Sequence, residues 1–142
     1  VNHPAGQLGK RLTLRVADLM HREGDNPTIA VGSSWVEVVR AISKGGLGAV
    51  CVVDDGGLLA GIITDGDLRR AIEQTSRESL AKLTCDDFMT RRPVVVTPEL
   101  LAFDALRLME ERPSQISVLP VTDQDGKCVG LIRVHDIVRS GL

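Results

Sequence analysis

The sequence predicts a mixed α/β fold of the α+β kind, made of two β-α-β-β-α repeats in tandem. Three observations carry that prediction. The stretch Gly61-Ile62-Ile63-Thr64-Asp65-Gly66-Asp67-Leu68 returns sixty-nine residues later as Gly130-Leu131-Ile132-Arg133-Val134-His135-Asp136-Ile137, with the glycine, the apolar pair, the aspartate and the closing apolar residue in register. Each copy completes a hairpin signal, two apolar runs around an Asp/Gly turn. Ahead of each hairpin lies a short β-branched run and then a stretch of helical periodicity.

Taken in order, residues 1–14 carry His3-Pro4-Ala5-Gly6 and Gly9-Lys10-Arg11, a turn-rich, basic connector. Val16 to Met20 predicts a helical turn that Cys85 to Met89 repeats at the same offset. His21 to Asn26 reads as a polar loop, and Pro27 to Val31 as a strand whose counterpart is Arg91 to Val96. Ser34-Trp35-Val36-Glu37 has the form of a capping box, with Trp35, Val38, Val39 and Ile42 at helical spacing until Gly45-Gly46. Thr97 and Pro98 predict the cap and first turn of the second such helix, which would bury Leu101, Ala105, Leu108 and Met109. Ala49–Val53 and Leu58–Ile63 flank Asp54-Asp55-Gly56-Gly57, as Val118–Val121 and Cys128–Ile132 flank Asp123-Gln124-Asp125-Gly126. Pro120 cannot donate to a ladder, which places its strand at an edge or leaves it unpaired there. Asp67–Gln74 and Asp136–Ser140 close the two halves as helices.

The composition narrows the function. With 43% hydrophobic and 25% charged residues in 142, the chain is globular. Two Phe, one Trp, no Tyr and a net charge of −2 give neither a stacking platform nor a general attraction for phosphate, which argues against nucleic acid. No apolar run approaches the ~20 residues of a membrane span. The start at Val1 is read as that of an excised piece. Cys51, Cys85 and Cys128 are odd in number and far apart, so neither a disulfide framework nor a CxxC site is expected, and a reducing cytoplasm fits. Cys51 and Cys128, inside apolar runs, read as small buried hydrophobes. No phosphate-binding loop, nucleophile elbow or HExxH is present, and His21 and His135 are not spaced as local metal ligands. No catalytic residue, metal or resident cofactor is assigned.

A tandem β-α-β-β-α repeat whose halves each end in glycine, two apolar residues and Asp-Leu or Asp-Ile resembles the CBS domain pair, or Bateman module, from about Arg15 to Gly141. The resemblance implies two repeats packed about a pseudo-twofold axis, with a ligand motif present in the first half as GIITDGDL. The second half departs from that motif by having Arg133 where the hydroxyl belongs. His3 to Leu12, Asp18-Leu19-Met20-His21 and Thr64-Asp65-Gly66-Asp67-Leu68-Arg69-Arg70 are similar to the C-terminal regulatory region of bacterial D-arabinose 5-phosphate isomerases. That likeness implies that residues 1–14 are a linker and the tail of a sugar isomerase domain, with 15–78 the first CBS repeat and 79–142 the second. The parent would be an aldose-ketose isomerase of lipopolysaccharide or capsule synthesis, and this chain would not itself be an enzyme.

The expected ligand-binding residues are Thr64, Asp65, Asp67, Arg133, His135, Asp136, His21 and Thr90. Thr64 and Asp67 stand at a helix start, where they form a cap, and the same geometry offers N–H groups to a phosphate and a carboxylate to a ribose. Asp65 adds a negative charge that weakens a phosphate site, whereas Arg133 offers a donor fork beside His135, so that if the halves form sites of unequal preference the second motif is the better anion site. The implied effector is a small anionic nucleotide or sugar nucleotide, including a cytidine-linked octulosonate as feedback ligand. The implied partners are the isomerase domain of the same chain and a second copy in a homodimer or higher oligomer. The alternative is a dimerisation module that senses nothing.

Overall fold

The computed structural model describes residues 12–141. The connector at 1–14, His3 included, lies for the most part outside them. Helix α1 (Val16–Leu19) is one turn long and leads into the two-residue strand β1 (His21–Arg22), a 3-10 turn at Glu23–Asp25 and strand β2 (Thr28–Ala30). Helix α2 (Trp35–Gly45) has the ends its sequence prescribes. Ser34 Oγ accepts the Glu37 N–H at 3.3 Å, Glu37 Oε1 accepts the Ser34 N–H at 3.4 Å, and Gly46 closes the helix at φ 69°. Strands β3 (Ala49–Val53) and β4 (Leu59–Thr64) form a hairpin whose turn is held by Asp54 Oδ1, which accepts from Gly56 N and Leu58 N at 2.9 Å. Helix α3 (Asp65–Gln74) follows, and the short helix α4 (Arg77–Leu80) joins the halves. The second pass comprises a 3-10 turn at Cys85–Asp87, β5 (Thr90–Arg91), α5 (Ala102–Glu110), the hairpin β6 (Val118–Thr122) and β7 (Cys128–Arg133), and α6 (Val134–Arg139).

The repeat in the sequence and the unit in space differ, because the opening segment of each half crosses to the other. The sheets have the orders β2-β3-β4-β5 and β1-β7-β6, so β1 pairs antiparallel with β7 and β5 with β4. Val16 joins the core of Met109, Leu119, Val121 and Ile132, while Cys85 and Met89 join that of Val38, Val50 and Ile63. A third cluster, with Ala49, Cys51 and Ile62 from one sheet and Val118 and Leu131 from the other, welds the halves together.

The exchange explains the two motif glycines. A Cβ at Gly61 would lie 2.7 Å from the Thr90 carbonyl oxygen and 2.8 Å from the Met89 sulfur. At Gly130 it would lie 2.7 Å from the His21 carbonyl oxygen and 3.1 Å from the Met20 sulfur. These positions hold glycine because a crossing strand lies against the backbone, not because of a left-handed φ.

The structure departs from the sequence-based elements in three places. The expected polar loop His21–Asn26 contains β1 and the 3-10 turn. The expected strand Arg91–Val96 shrinks to β5 and a single parallel bridge from Val96 to Val121. In the first half Cys51 N donates to Pro27 O at 3.1 Å; the residue sixty-nine positions on is Pro120, which has no N–H, and β6 lies at a sheet edge as expected. The third departure is α5, which begins at Ala102 and not at Pro98. Leu101 is held extended by a bridge to Arg15, and the Pro98 and Leu100 carbonyls accept the Ala17 and Val16 N–H groups of α1. The second helix therefore lacks a side-chain cap.

Candidate functional site

Both motifs sit where a central strand gives way to a closing helix, and each aspartate occupies the third helical position. In the first, Thr64 Oγ1 accepts the Asp67 N–H at 3.2 Å and Asp67 Oδ2 accepts the Thr64 N–H at 2.9 Å, a complete capping box. Asp67 Oδ1 also accepts from Arg70 Nη2 at 2.6 Å, an ion pair whose arginine side chain is 62% exposed. Asp67 also lines a cavity of about 540 Å³. Ile62, Val118 and Pro120 supply its apolar wall, and Thr64, Asp67 and Thr90 its polar wall. Arg92 and Arg112 bring two guanidinium groups to the same space. Arg92 holds φ 49°, a conformation that a non-glycine residue adopts only at a cost.

The second motif is wired differently. Asp136 Oδ2 accepts from Arg133 N at 2.9 Å and Arg133 Nε at 3.2 Å. Its Oδ1 lies 2.9 Å from both Arg133 Nη2 and His21 Nε2. Burial pushes the Asp136 pKa up, but the hydrogen bonds from Arg133 and His21 outweigh it and hold the carboxyl below its ordinary value. The aspartate does half of a cap, taking the Arg133 N–H. Arg133 donates to Asp136 through Nε and Nη2 and also lines a cavity shared with Asp65 and His135.

The cleft beside His21, about 440 Å³, is lined by Glu23, Asp25, Asn26 and Lys44. Glu23 holds φ 51° and stands sixty-nine residues before Arg92. The two clefts thus share a left-handed residue at matching positions and differ in the charge it carries. A third cavity of about 390 Å³ lies between the two helix starts, with Asp65, Arg133, His135 and Ser117 on its walls.

The eight expected residues therefore fall in different places. Thr64, Asp67 and Thr90 converge on the 540 Å³ cleft, while Asp65, Arg133 and His135 meet in the 390 Å³ cavity, which Thr64 also touches. His21 borders the 440 Å³ cleft, and Asp136 stands behind it as its partner. Arg92, Arg112, Gln115 and Ser117 were not foreseen. Arg112-Pro113-Ser114-Gln115 carries no period or motif, and only the parallel between the halves could have pointed to it. Among the described residues no group of three or more His, Cys, Asp or Glu is placed to hold a metal ion, and no helix is long and apolar enough to cross a membrane.

Comparison with known proteins accounts for this architecture. The CBS domain family matches twice, at residues 16–74 and 85–142. The arabinose 5-phosphate isomerase KdsD of Pseudomonas aeruginosa is 40% identical over 141 residues, 99% of this chain and 42% of the relative. The chain thus spans about two fifths of that protein's length. Among solved structures, CBSX2 in complex with AMP is 26% identical with a TM-score of 0.74, covering 90% of this chain and 96% of that one. The CBS domain pair of MJ0100, in complex with 5-methylthioadenosine and S-adenosyl-L-methionine, is 26% identical with a TM-score of 0.76, covering 89% and 94%. The double match and the shared fold establish that the chain belongs to the CBS domain family and forms a tandem CBS pair.

Proposed function

We propose that this CBS pair senses a nucleotide or sugar nucleotide in the 540 Å³ cleft and passes its occupancy to a sugar isomerase domain of the same polypeptide, in a cytoplasmic arabinose 5-phosphate isomerase. The observation that carries the reading is the convergence of Thr64, Asp67 and Thr90 with Arg92 and Arg112 on one cavity. The α3 N-terminus and two guanidinium groups suit a phosphate, the Asp67 carboxylate suits ribose hydroxyls, and the aliphatic wall suits a base. The cleft is built from both sheets, with Thr64 on β4 and Val118 and Pro120 on β6. A ligand touching both therefore favours the arrangement in which they face each other, which is the differential affinity that regulation requires.

The identity to KdsD and the AMP and S-adenosyl-L-methionine complexes of two structural relatives support this reading. The activated octulosonate nucleotide, an end product carrying both a cytidine and a carboxylate, fits as a feedback ligand. A thermal-shift panel of AMP, CMP and sugar-linked nucleotides at millimolar concentration tests the proposal. We expect stabilisation by at least one, lost in Arg92→Ala and Arg112→Ala; no stabilisation by any would sink it.

A second reading, a dimerisation module, is favoured by Phe103 on α5 and Val138 on α6, which stay 40% and 53% exposed. A firm dimer in sedimentation that ignores every nucleotide would support it over sensing.

A further inference from the structure

We propose that Cys128 is an oxidation site and that Cys51 resolves it, so that the two thiols close into a disulfide joining the two repeats. Cys51 lies in the middle of β3 and is fully buried, while Cys128 opens β7 and is partly exposed. Cys128 packs against the buried apolar cluster that contains Cys51 and welds the sheets, and β3 and β7 are in direct contact. Cys128 borders a cavity of about 450 Å³ with Arg22, Asn26 and Thr28, which gives a small oxidant a path to the sulfur. Asn26 Nδ2 donates to Cys128 Sγ at 3.6 Å.

These contacts divide the roles. The hydrogen bond from the Cys51 thiol, joined by that from Asn26, outweighs burial and holds the Cys128 pKa at about 7. The same interaction and burial push Cys51 well up, so it stays a neutral thiol. Cys85, buried, is raised by desolvation and by the Asp86 carboxylate that its thiol donates to.

The chemistry runs in two steps with a hydroperoxide as oxidant. The Cys128 thiolate attacks the terminal peroxide oxygen; an S–O bond forms, the O–O bond breaks, and the alkoxide or hydroxide leaves and takes up a proton. The sulfur loses two electrons and the peroxide gains them. Cys51 then gives up its proton and attacks the Cys128 sulfur; the S–S bond forms, the S–O bond breaks, and the proton leaves with the hydroxide as water. Disulfide formation ties β3 to β7 and alters the sulfur that Asn26 donates to. Asn26 also lines the 440 Å³ cleft, and its Oδ1 is buried without a partner, so the redox state of the pair is felt in that cleft.

The test treats the 142-residue chain with hydrogen peroxide, alkylates the remaining thiols and maps peptides without reduction. We expect a loss of two hydrogens, one peptide pair linking Cys51 to Cys128, and an alkylated Cys85. In Cys51→Ser a dione reagent that captures sulfenic acids should label Cys128; in Cys128→Ser neither product should form. Iodoacetamide labelling of the untreated wild type should reach half its maximal rate near pH 7 at Cys128, a readout that needs no variant to fold. A Cys128 that remains alkylatable after peroxide treatment, or a disulfide that joins two chains or recruits Cys85, overturns the proposal.

Discussion

His21 Nε2 lies 2.9 Å from Asp136 Oδ1, so a side chain from β1 in the first half of the sequence closes the helix start of the second half. Because Asp136 is held below its ordinary pKa in the folded chain, it adds stability that is present above the ordinary carboxylate value of about 4 and is lost as the pH falls through the lowered one. Asp136→Asn should therefore flatten the decline in Tm between pH 6 and pH 3. At neutral pH it should cost about 1–3 kcal/mol, since the partly buried Arg133 guanidinium loses its charged partner. Equal slopes for wild type and variant in calorimetric scans across that range would contradict the assignment.

The same glycine-to-alanine substitution should carry two different costs at three positions. Gly61→Ala and Gly130→Ala place a methyl group against a backbone carbonyl at 2.7 Å, and the crossing strand has to shift, at about 1–3 kcal/mol each. Gly66→Ala meets only the end of Arg70, at 3.2 Å, in the first turn of α3, where alanine is the better helix former. It should be neutral or slightly stabilising. Urea denaturation of the three variants checks the order; a Gly66 variant as damaged as the Gly61 variant would contradict it.

These residues also show what the sequence could reveal. The register of GIITDGDL against GLIRVHDI was legible because the Thr64–Asp67 and Arg133–Asp136 contacts are local, whereas the His21 contact with Asp136 is not. The hairpins were legible because Asp54 and Asp123 each bind N–H groups two and four residues ahead. The exchange of β1 and β5 was not legible, since β1 finds its partner near the other end of the chain, β5 turns back onto the preceding repeat, and two-residue strands leave no period. For the same reason Arg92 and Arg112 were missed, and the bonds from Arg133 to Asp136 were not read.

The helix caps separate local from tertiary control. Ser34→Ala removes a side-chain acceptor in use and should cost about 1 kcal/mol. Thr97 carries the same sequence signal, yet α5 starts five residues further on and the exposed Thr97 does not cap it. Thr97→Ala should change Tm little. Parallel thermal melts of the two variants decide the matter: similar losses would mean that Thr97 caps a helix after all.

The last prediction concerns the paired positions Glu23 and Arg92, which share a left-handed backbone, at φ 51° and 49°, but carry opposite charge. If the 540 Å³ cleft takes the anionic ligand through Arg92, then Arg92→Ala removes a charge-assisted hydrogen bond worth about 1.5–3 kcal/mol, a rise in Kd of roughly 10- to 100-fold. Glu23→Arg should do the opposite in the other cleft, replacing a repulsive carboxylate with the residue that Arg92 already shows this backbone can hold. Calorimetric titration with the nucleotide selected by the thermal-shift panel should find one binding event per chain in the wild type and a second, weaker one in Glu23→Arg. The weakness of that second event follows from Asp25, which keeps a negative charge on the same wall, and from His21 and Arg133, both engaged by Asp136. A wild-type chain with two equal sites, or an Arg92→Ala variant with unchanged Kd, would show that charge does not distinguish the clefts.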